Sequence, residues 1–207
     1  MAFEKRLWQN GYRFVAGVDE VGRGPLAGPV LACAVIFPVN FFIPAVRDSK
    51  KLSAGKRSEL SGLLRNACSG LGIGQASPAE IDEYNIRQAV MIAMQRAVSK
   101  ISGQPDFILV DGKDCPDFPV PARAIVRGDE KSFTIAAASI IAKVLRDRIM
   151  QSFHYYYPGY AFDCNKGYGT ARHVAALKEL GPTPLHRRSF IQHIFTEQEY
   201  RYDYCFK

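Results

Sequence analysis

The 207-residue sequence predicts an α/β domain, a mixed central sheet flanked by helices with a helical C-terminal extension. Three observations carry that prediction. Short β-branched or apolar runs alternate with helical patterns along the chain, as layered α/β folds require. Phe107-Ile108-Leu109-Val110 is apolar at every position, the signature of a central strand buried on both faces. The helical stretch before it follows another strand candidate, so strand, helix and strand make a βαβ unit and part of the sheet is parallel.

The elements follow in order. Phe14 to Val18 and Val30 to Val39 read as strands on either side of a Gly/Pro-rich turn, Gly22 to Pro29. Ser53 is an N-cap for a helix over Ala54 to Cys68, with Leu60, Leu63 and Leu64 on one face. Leu71 to Ala76 is a short Gly-containing strand. Ser77-Pro78-Ala79-Glu80 then has the form of a helix start, with Pro at the first helical position and Glu at the third.

Ile81 to Ile101 reads as helix because Ile86, Val90, Ala93, Met94 and Ala97 recur at helical spacing. Ala122 to Val126 adds a strand. A long helix covers Ser132 to Tyr155 and ends at Pro158-Gly159, and Thr170 caps a helix through Leu180. Residues 1–190 are expected to form one domain, and residues 191–207 a tail packed on it or extending from it.

Composition narrows the partners. Lys and Arg number 27 against 20 Asp and Glu, a net charge of +7, which favours an anionic partner such as nucleic acid. The charge is uneven: both ends of the chain are basic and the middle third is acidic. Five scattered cysteines, with no CxxC pair, argue against a disulfide framework or zinc cluster. The longest apolar stretch, Pro29 to Phe42, is broken by Pro38 and Asn40, short of the ~18 residues that span a bilayer. A soluble, cytoplasmic monomer is the expectation.

Four acids stand out by position. Asp19 and Glu20 close the first strand, Asp111 closes the apolar run, and Asp129 lies between a strand and the long helix. Sites in open α/β sheets lie beyond the carboxyl ends of strands. Adjacent strand residues face opposite ways, so Glu20 joins a shared site only if the chain turns after Asp19. Carboxylates gathered at one point repel unless divalent cations neutralise them, and hard oxygen ligands suit magnesium or manganese. On a basic protein that combination points to two-metal phosphoryl chemistry, which needs no nucleophilic side chain. The GxSxG elbow, the Walker A loop and the GxGxxG turn are all absent.

These residues sit in a longer pattern. Gly17-Val18-Asp19-Glu20-Val21-Gly22-Arg23-Gly24-Pro25-Leu26-Ala27-Gly28-Pro29 resembles the signature of the ribonuclease HII family. The likeness continues through Asp48-Ser49-Lys50-Lys51-Leu52-Ser53, Val110-Asp111-Gly112 and Gly128-Asp129-Glu130-Lys131-Ser132. It reappears in Tyr157-Pro158-Gly159-Tyr160, Lys166-Gly167-Tyr168-Gly169-Thr170 and His186-Arg187-Arg188-Ser189-Phe190.

The resemblance implies a ribonuclease H-like fold and cutting of the RNA strand in RNA–DNA hybrids. It also implies nicking of duplex DNA 5′ of a single embedded ribonucleotide, leaving 3′-hydroxyl and 5′-phosphate ends, as in ribonucleotide excision repair. It makes Asp19, Glu20, Asp111 and Asp129 the catalytic acids, with Mn2+ or Mg2+ as cofactor. Gly22-Arg23-Gly24 would read the 2′-hydroxyl, the group that distinguishes RNA from DNA. Tyr168 would pack on the sugar of the following deoxynucleotide. Lys50, Lys143 and Arg146 are the candidate phosphate contacts. Departures from the family pattern are Asn165, where His is common, and Glu130, where a small residue is common.

The sister family ribonuclease HIII usually carries an extra N-terminal domain and lacks Arg in the glycine turn. A non-catalytic nucleic-acid-binding module would not need four acids. Gln192 to Phe195 and Gln198 to Tyr204 do not reproduce the usual sliding-clamp-binding pattern, which leaves a clamp contact weakly founded. No chemistry is assigned to His154, His173, His186 or His193.

Overall fold

The computed structural model describes residues 1–46 and 53–195. Helix α1 spans Ala2–Gln9, β1 Val15–Val21, β2 Val30–Ile36, α2 Ala54–Ala67, β3 Gly70–Ala76 and α3 Pro78–Ser99. Then come β4 Phe107–Asp111, β5 Ala122–Ile125, the short α4 Gly128–Lys131 and the long α5 Phe133–Tyr156. The chain continues through α6 Phe162–Asn165, α7 Ala171–Leu180 and α8 Arg188–Ile191.

The strands form one mixed sheet in the order β3-β2-β1-β4-β5. β1 pairs antiparallel with β2 and parallel with β4. The βαβ unit expected from the sequence is present, but its crossover is wide. α3 carries the chain from β3 past β2 and β1, so that β4 joins on the far side of β1. β1, not the wholly apolar β4, is therefore the central strand; Ile108, Leu109 and Val110 are nonetheless fully buried.

Side-chain alternation divides the core. Ala16, Val18, Ala32 and Ala34 face Val90, Ala93, Met94 and Ala97 of α3. Leu31, Cys33 and Val35 face Ala137, Ile140 and Ile141 of α5. α5 lies flush on β1 because Gly17 offers no side chain: a Cβ there would stand 2.2 Å from the Thr134 carbonyl carbon. That close approach brings the small residues Ala136-Ala137-Ala138-Ser139 down onto the strand that carries Asp19.

Local chemistry accounts for the helix starts. Ser77 and Glu80 complete a capping box, each bonding the other's backbone N–H. Ser53, Ser132 and Thr170 each accept a bond from an N–H in the first turn of the following helix. α3 contains a break that periodicity does not reveal. Asn85 sits at φ 65°, and its side-chain oxygen accepts the N–H groups of Arg87 and Gln88, restarting the helix.

α1 has no counterpart in the sequence reading. Its Glu4 is fully buried and accepts bonds from Ser132 Oγ at 2.6 Å and Thr134 N at 3.0 Å. A polar helix thus supplies a carboxylate to the N-terminus of α5, where the helix dipole favours negative charge.

Candidate active site

β1 and β4 run parallel in register from Val15↔Phe107 to Val18↔Val110, so Asp19 and Asp111 follow at the same carboxyl edge of the sheet. The chain does not turn after Asp19. β1 continues, pairing Glu20 with Ala32 and Val21 with Leu31. The two adjacent acids therefore do face opposite ways. Asp19, only 5% exposed, points to α5 near Ser139, and its carboxylate accepts the Glu20 N–H at 2.7 Å. Glu20 points to the α3 side, into a cavity of about 230 Å³ shared with Arg23, Arg87, Met91 and Asp111. The site straddles the end of the sheet rather than lying on one face.

Asp111 ends β4 and accepts the Gly128 N–H, which ties it to the start of α4. The next residue is Asp129, on the wall of a second cavity of about 220 Å³ with Phe42, Val46 and Phe133. What looks like a connection in the sequence is a one-turn helix whose first residue, Gly128, bonds the third acid and whose second is the fourth. Glu130, one of the departures, is paired at 2.8 Å with Arg127.

The electrostatics are those of a crowded acidic edge. Burial, then the charge of Glu20, holds the Asp19 carboxyl well above the usual range; Asp111 adds to this and Ser139 opposes it. Burial also raises Glu20, while the Arg23 guanidinium at 3.1 Å draws it back. These oxygen donors fit a hard divalent cation, which would relieve the repulsion. Among the described residues, however, no three acid, His or Cys side chains are gathered as a cage. Arg23 holds Glu20 and Gly128 N–H holds Asp111, so a cation would compete for both.

Beyond β1 the chain enters the Gly22–Pro29 turn, which is stitched from beneath. Arg187 is fully buried and donates to the carbonyls of Gly22 (2.6 Å), Arg23 (2.9 Å) and Gly28 (3.0 and 2.9 Å). Arg146 is fully buried as well and donates to Pro29 (3.0 Å), Ala27 (3.1 Å) and Lys166 (2.9 Å). This corrects the expectation that Arg146 meets phosphate: its donors are spent on carbonyls inside the protein. Burial, with Arg146's charge behind it, lowers the Arg187 pKa to about 9, still cationic at neutral pH.

The two glycines of Gly22-Arg23-Gly24 differ. Gly22 has φ +94°, and a Cβ on it would meet Arg146 Nε at 2.2 Å. Around Gly24 a Cβ would meet nothing within 4 Å. The fold requires the first glycine. It leaves the second open to the outside.

Tyr168 is 42% exposed on a loop joined to the same turn, with Leu26 N–H donating to Gly167 O at 2.8 Å. Asn165, the other departure, shapes this loop. Its amide donates to Tyr160 O and accepts Gly167 N–H, both at 2.7 Å. Lys143, another candidate phosphate contact, pairs with Asp147 at 2.8 Å. Lys50 lies outside the described residues. Sequence reasoning missed Ser139, Arg87 and Arg187. A basic residue between His186 and Arg188 reads as surface charge, and nothing local signals its burial.

Comparison with known proteins gives the fold and the family. The fold is the ribonuclease H-like one: ribonuclease H2 of Pyrococcus horikoshii superposes with TM-score 0.77 at 27% identity, over 91% of this chain and 99% of that one. An RNase HII from Archaeoglobus fulgidus, solved in complex with PCNA, gives 0.66 at 27% identity, over 84% and 93%. The chain belongs to the ribonuclease HII family, whose profile matches residues 16–195. It is 49% identical over 192 residues to ribonuclease HII of Caldanaerobacter subterraneus, covering 93% of this chain and 80% of the relative. Against that of Nitrosococcus oceani it is 54% identical over 176 residues, 85% and 88%. The chain is thus a hydrolytic nuclease of a family that cuts the RNA strand of RNA–DNA hybrids. Among the described residues, no helix is long and apolar enough to cross a membrane.

Proposed function

We propose that the chain nicks DNA duplexes 5′ of a single embedded ribonucleotide, as well as RNA–DNA hybrids, and leaves 3′-hydroxyl and 5′-phosphate ends. The observation that carries this reading is the open outer side of Gly24 next to the acidic edge. A backbone with no Cβ can approach a ribose closely, and N–H or C=O groups there can bond the 2′-hydroxyl. Arg187 pins the Gly22 and Arg23 carbonyls inward, which fixes the orientation of the peptide planes that face the substrate.

Asp19, Glu20, Asp111 and Asp129 would hold Mg2+ or Mn2+, which when bound activates water and stabilises the leaving oxygen. In the reaction a water oxygen bonds to phosphorus as the bond to the preceding 3′-oxygen breaks. Ser139 orients the Asp19 carboxylate. Gly128 N–H sets that of Asp111. Tyr168 packs on the sugar after the ribonucleotide and reports the RNA-to-DNA junction. Lys50 and Lys143 are phosphate contacts in this reading. The basic residues towards both ends of the sequence would hold the duplex by its phosphates. The Archaeoglobus relative's PCNA complex supports a clamp contact as well; Gln198 to Tyr204, weighed for it, lie outside the described residues.

The test compares a duplex holding one ribonucleotide with an all-DNA duplex, in Mn2+, Mg2+ or chelator. Nicking confined to the first substrate and dependent on metal is expected. Equal cutting of both, or cutting in chelator, overturns the reading.

A further inference from the structure

His173, on the first turn of α7, and His186, before α8, are both buried, at 0% and 3% exposure. Their rings meet edge to edge, with Nε2 to Nε2 at 3.1 Å. The outer nitrogens are also engaged. His186 Nδ1 receives the Thr183 N–H at 2.9 Å and lies 3.0 Å from the Thr183 hydroxyl, which accepts the Leu185 N–H and can turn its own proton to the ring; His173 Nδ1 lies 2.9 Å from the Tyr168 carbonyl oxygen.

These end groups fix every proton in the chain. A backbone N–H only donates, so His186 Nδ1 is bare and its proton is on Nε2. A carbonyl only accepts, so His173 Nδ1 carries the proton and its Nε2 is bare. His186 Nε2–H therefore donates to His173 Nε2, and His173 Nδ1–H donates to Tyr168. No further proton fits. One on His173 Nε2 would face the His186 N–H, and one on His186 Nδ1 would face the Thr183 N–H. Burial and the neighbouring ring accordingly press His186 down to about 3 and lower His173. Tyr160 and Phe162 pack against both rings and hold them in place.

The same segment holds the glycine turn. Gly28 N–H donates to Leu185 O at 2.8 Å, and Arg187 N–H to Leu26 O at 2.8 Å. Thus residues 183–187 grip the turn through Leu185 and Arg187, and the Tyr168 backbone through His186 and His173. Tyr168 O also accepts Thr170 N–H at 2.8 Å, and Tyr168 N–H donates to Asn165 O at 2.9 Å. The backbone of Tyr168 is fixed while its ring stays exposed. Aliphatic residues would fill this space without the desolvation cost of two imidazoles; only a polar relay also holds a carbonyl in register.

We propose that His186 and His173 form a tautomer-locked relay that sets the distance between the glycine turn and the Tyr168 ring, making them positioning residues for junction specificity. The proposal rests on the reading of Tyr168 given above.

The experiment has two parts. Long-range 1H–15N correlation spectra of the full chain at neutral pH should show His173 protonated at Nδ1 and His186 at Nε2; averaged or reversed tautomers overturn the relay. Kinetics then compare His173→Leu, His173→Asn, His186→Gln and Tyr168→Ala on a single-ribonucleotide duplex and on a continuous RNA–DNA hybrid. His173→Leu and Tyr168→Ala should each lose about tenfold or more in kcat/KM on the first substrate, as small misplacements do, and less than about twofold on the second. His173→Asn, which keeps the donor to Tyr168, should recover most of the loss, while His186→Gln should stand between. Equal loss on both substrates reduces the pair to scaffold and overturns the proposal. If Tyr168→Ala is impaired while the histidine variants match the parent, only the relay falls. If Tyr168→Ala is itself unimpaired, the reading of Tyr168 falls and the relay with it.

Discussion

Two polar regions adjoin at the end of β1 and are opposite in kind. At the carboxyl edge of β1 and β4, acids crowd one another, and burial leaves Asp19 raised and its charge poorly compensated. Beneath the glycine turn, buried cations are also crowded, with Arg146 and Arg187 close enough to act on each other. There, however, every guanidinium nitrogen has a carbonyl. The difference separates a site from a scaffold. The arginines are used up inside the fold, whereas the acids keep a mutual repulsion that a bound cation would relieve.

Substitutions should divide along the same line. The largest effect on chemistry is expected from Asp111→Asn. Replacing a ligand should exceed the roughly hundredfold loss typical of outer-shell changes, measured as cutting of a hybrid substrate. Its thermal midpoint should hold or rise, because a repelling charge is removed. A variant that cuts near the parent rate would place Asp111 outside the metal site.

Arg187→Met should do the reverse. Four bonds to the carbonyls of Gly22, Arg23 and Gly28 vanish. Leaving buried acceptors unpaired costs about 1–3 kcal/mol each, so urea unfolding should show a loss of about 3 kcal/mol or more. A loss under about 1 kcal/mol would mean that the turn holds itself.

The glycines sharpen the contrast within one motif. Gly22→Ala should destabilise by roughly 2 kcal/mol or more, since a left-handed residue and a close contact with Arg146 are both offended. Gly24→Ala should keep the parent's stability yet weaken single-ribonucleotide cutting. Comparable stability losses in both would erase the distinction drawn between them.

A further effect concerns pH. His186 is about 3 in the folded chain against an ordinary 6.5, so below about 6.5 the unfolded chain takes up a proton that the folded one refuses. Stability from this site is complete above 6.5 and drains away as pH falls towards 3. His186→Gln should flatten that acid slope in thermal melts between pH 7 and 4. A parallel slope in parent and variant would rule out His186 as its source.

Much of this could be read from the chain alone. Each strand, α2, α3, the long α5 and α7 follow from alternation, helical spacing and caps such as Ser77 with Glu80, because those signals are local. The acids and Gly22-Arg23-Gly24 were visible through the family pattern that surrounds them. Tertiary structure decided the rest. β1 runs through Asp19 to Val21 because β2 continues to pair with it, so the acids straddle the sheet instead of turning together. α1 is tied to the fold by its buried Glu4, which accepts the hydroxyl of Ser132, the N-cap of α5, 128 residues away. Arg146, Arg187, His173 and His186 look like surface residues in sequence, since polarity is local but burial is set by distant packing. Only the fold brings the carbonyls of one turn over the side chains that hold them.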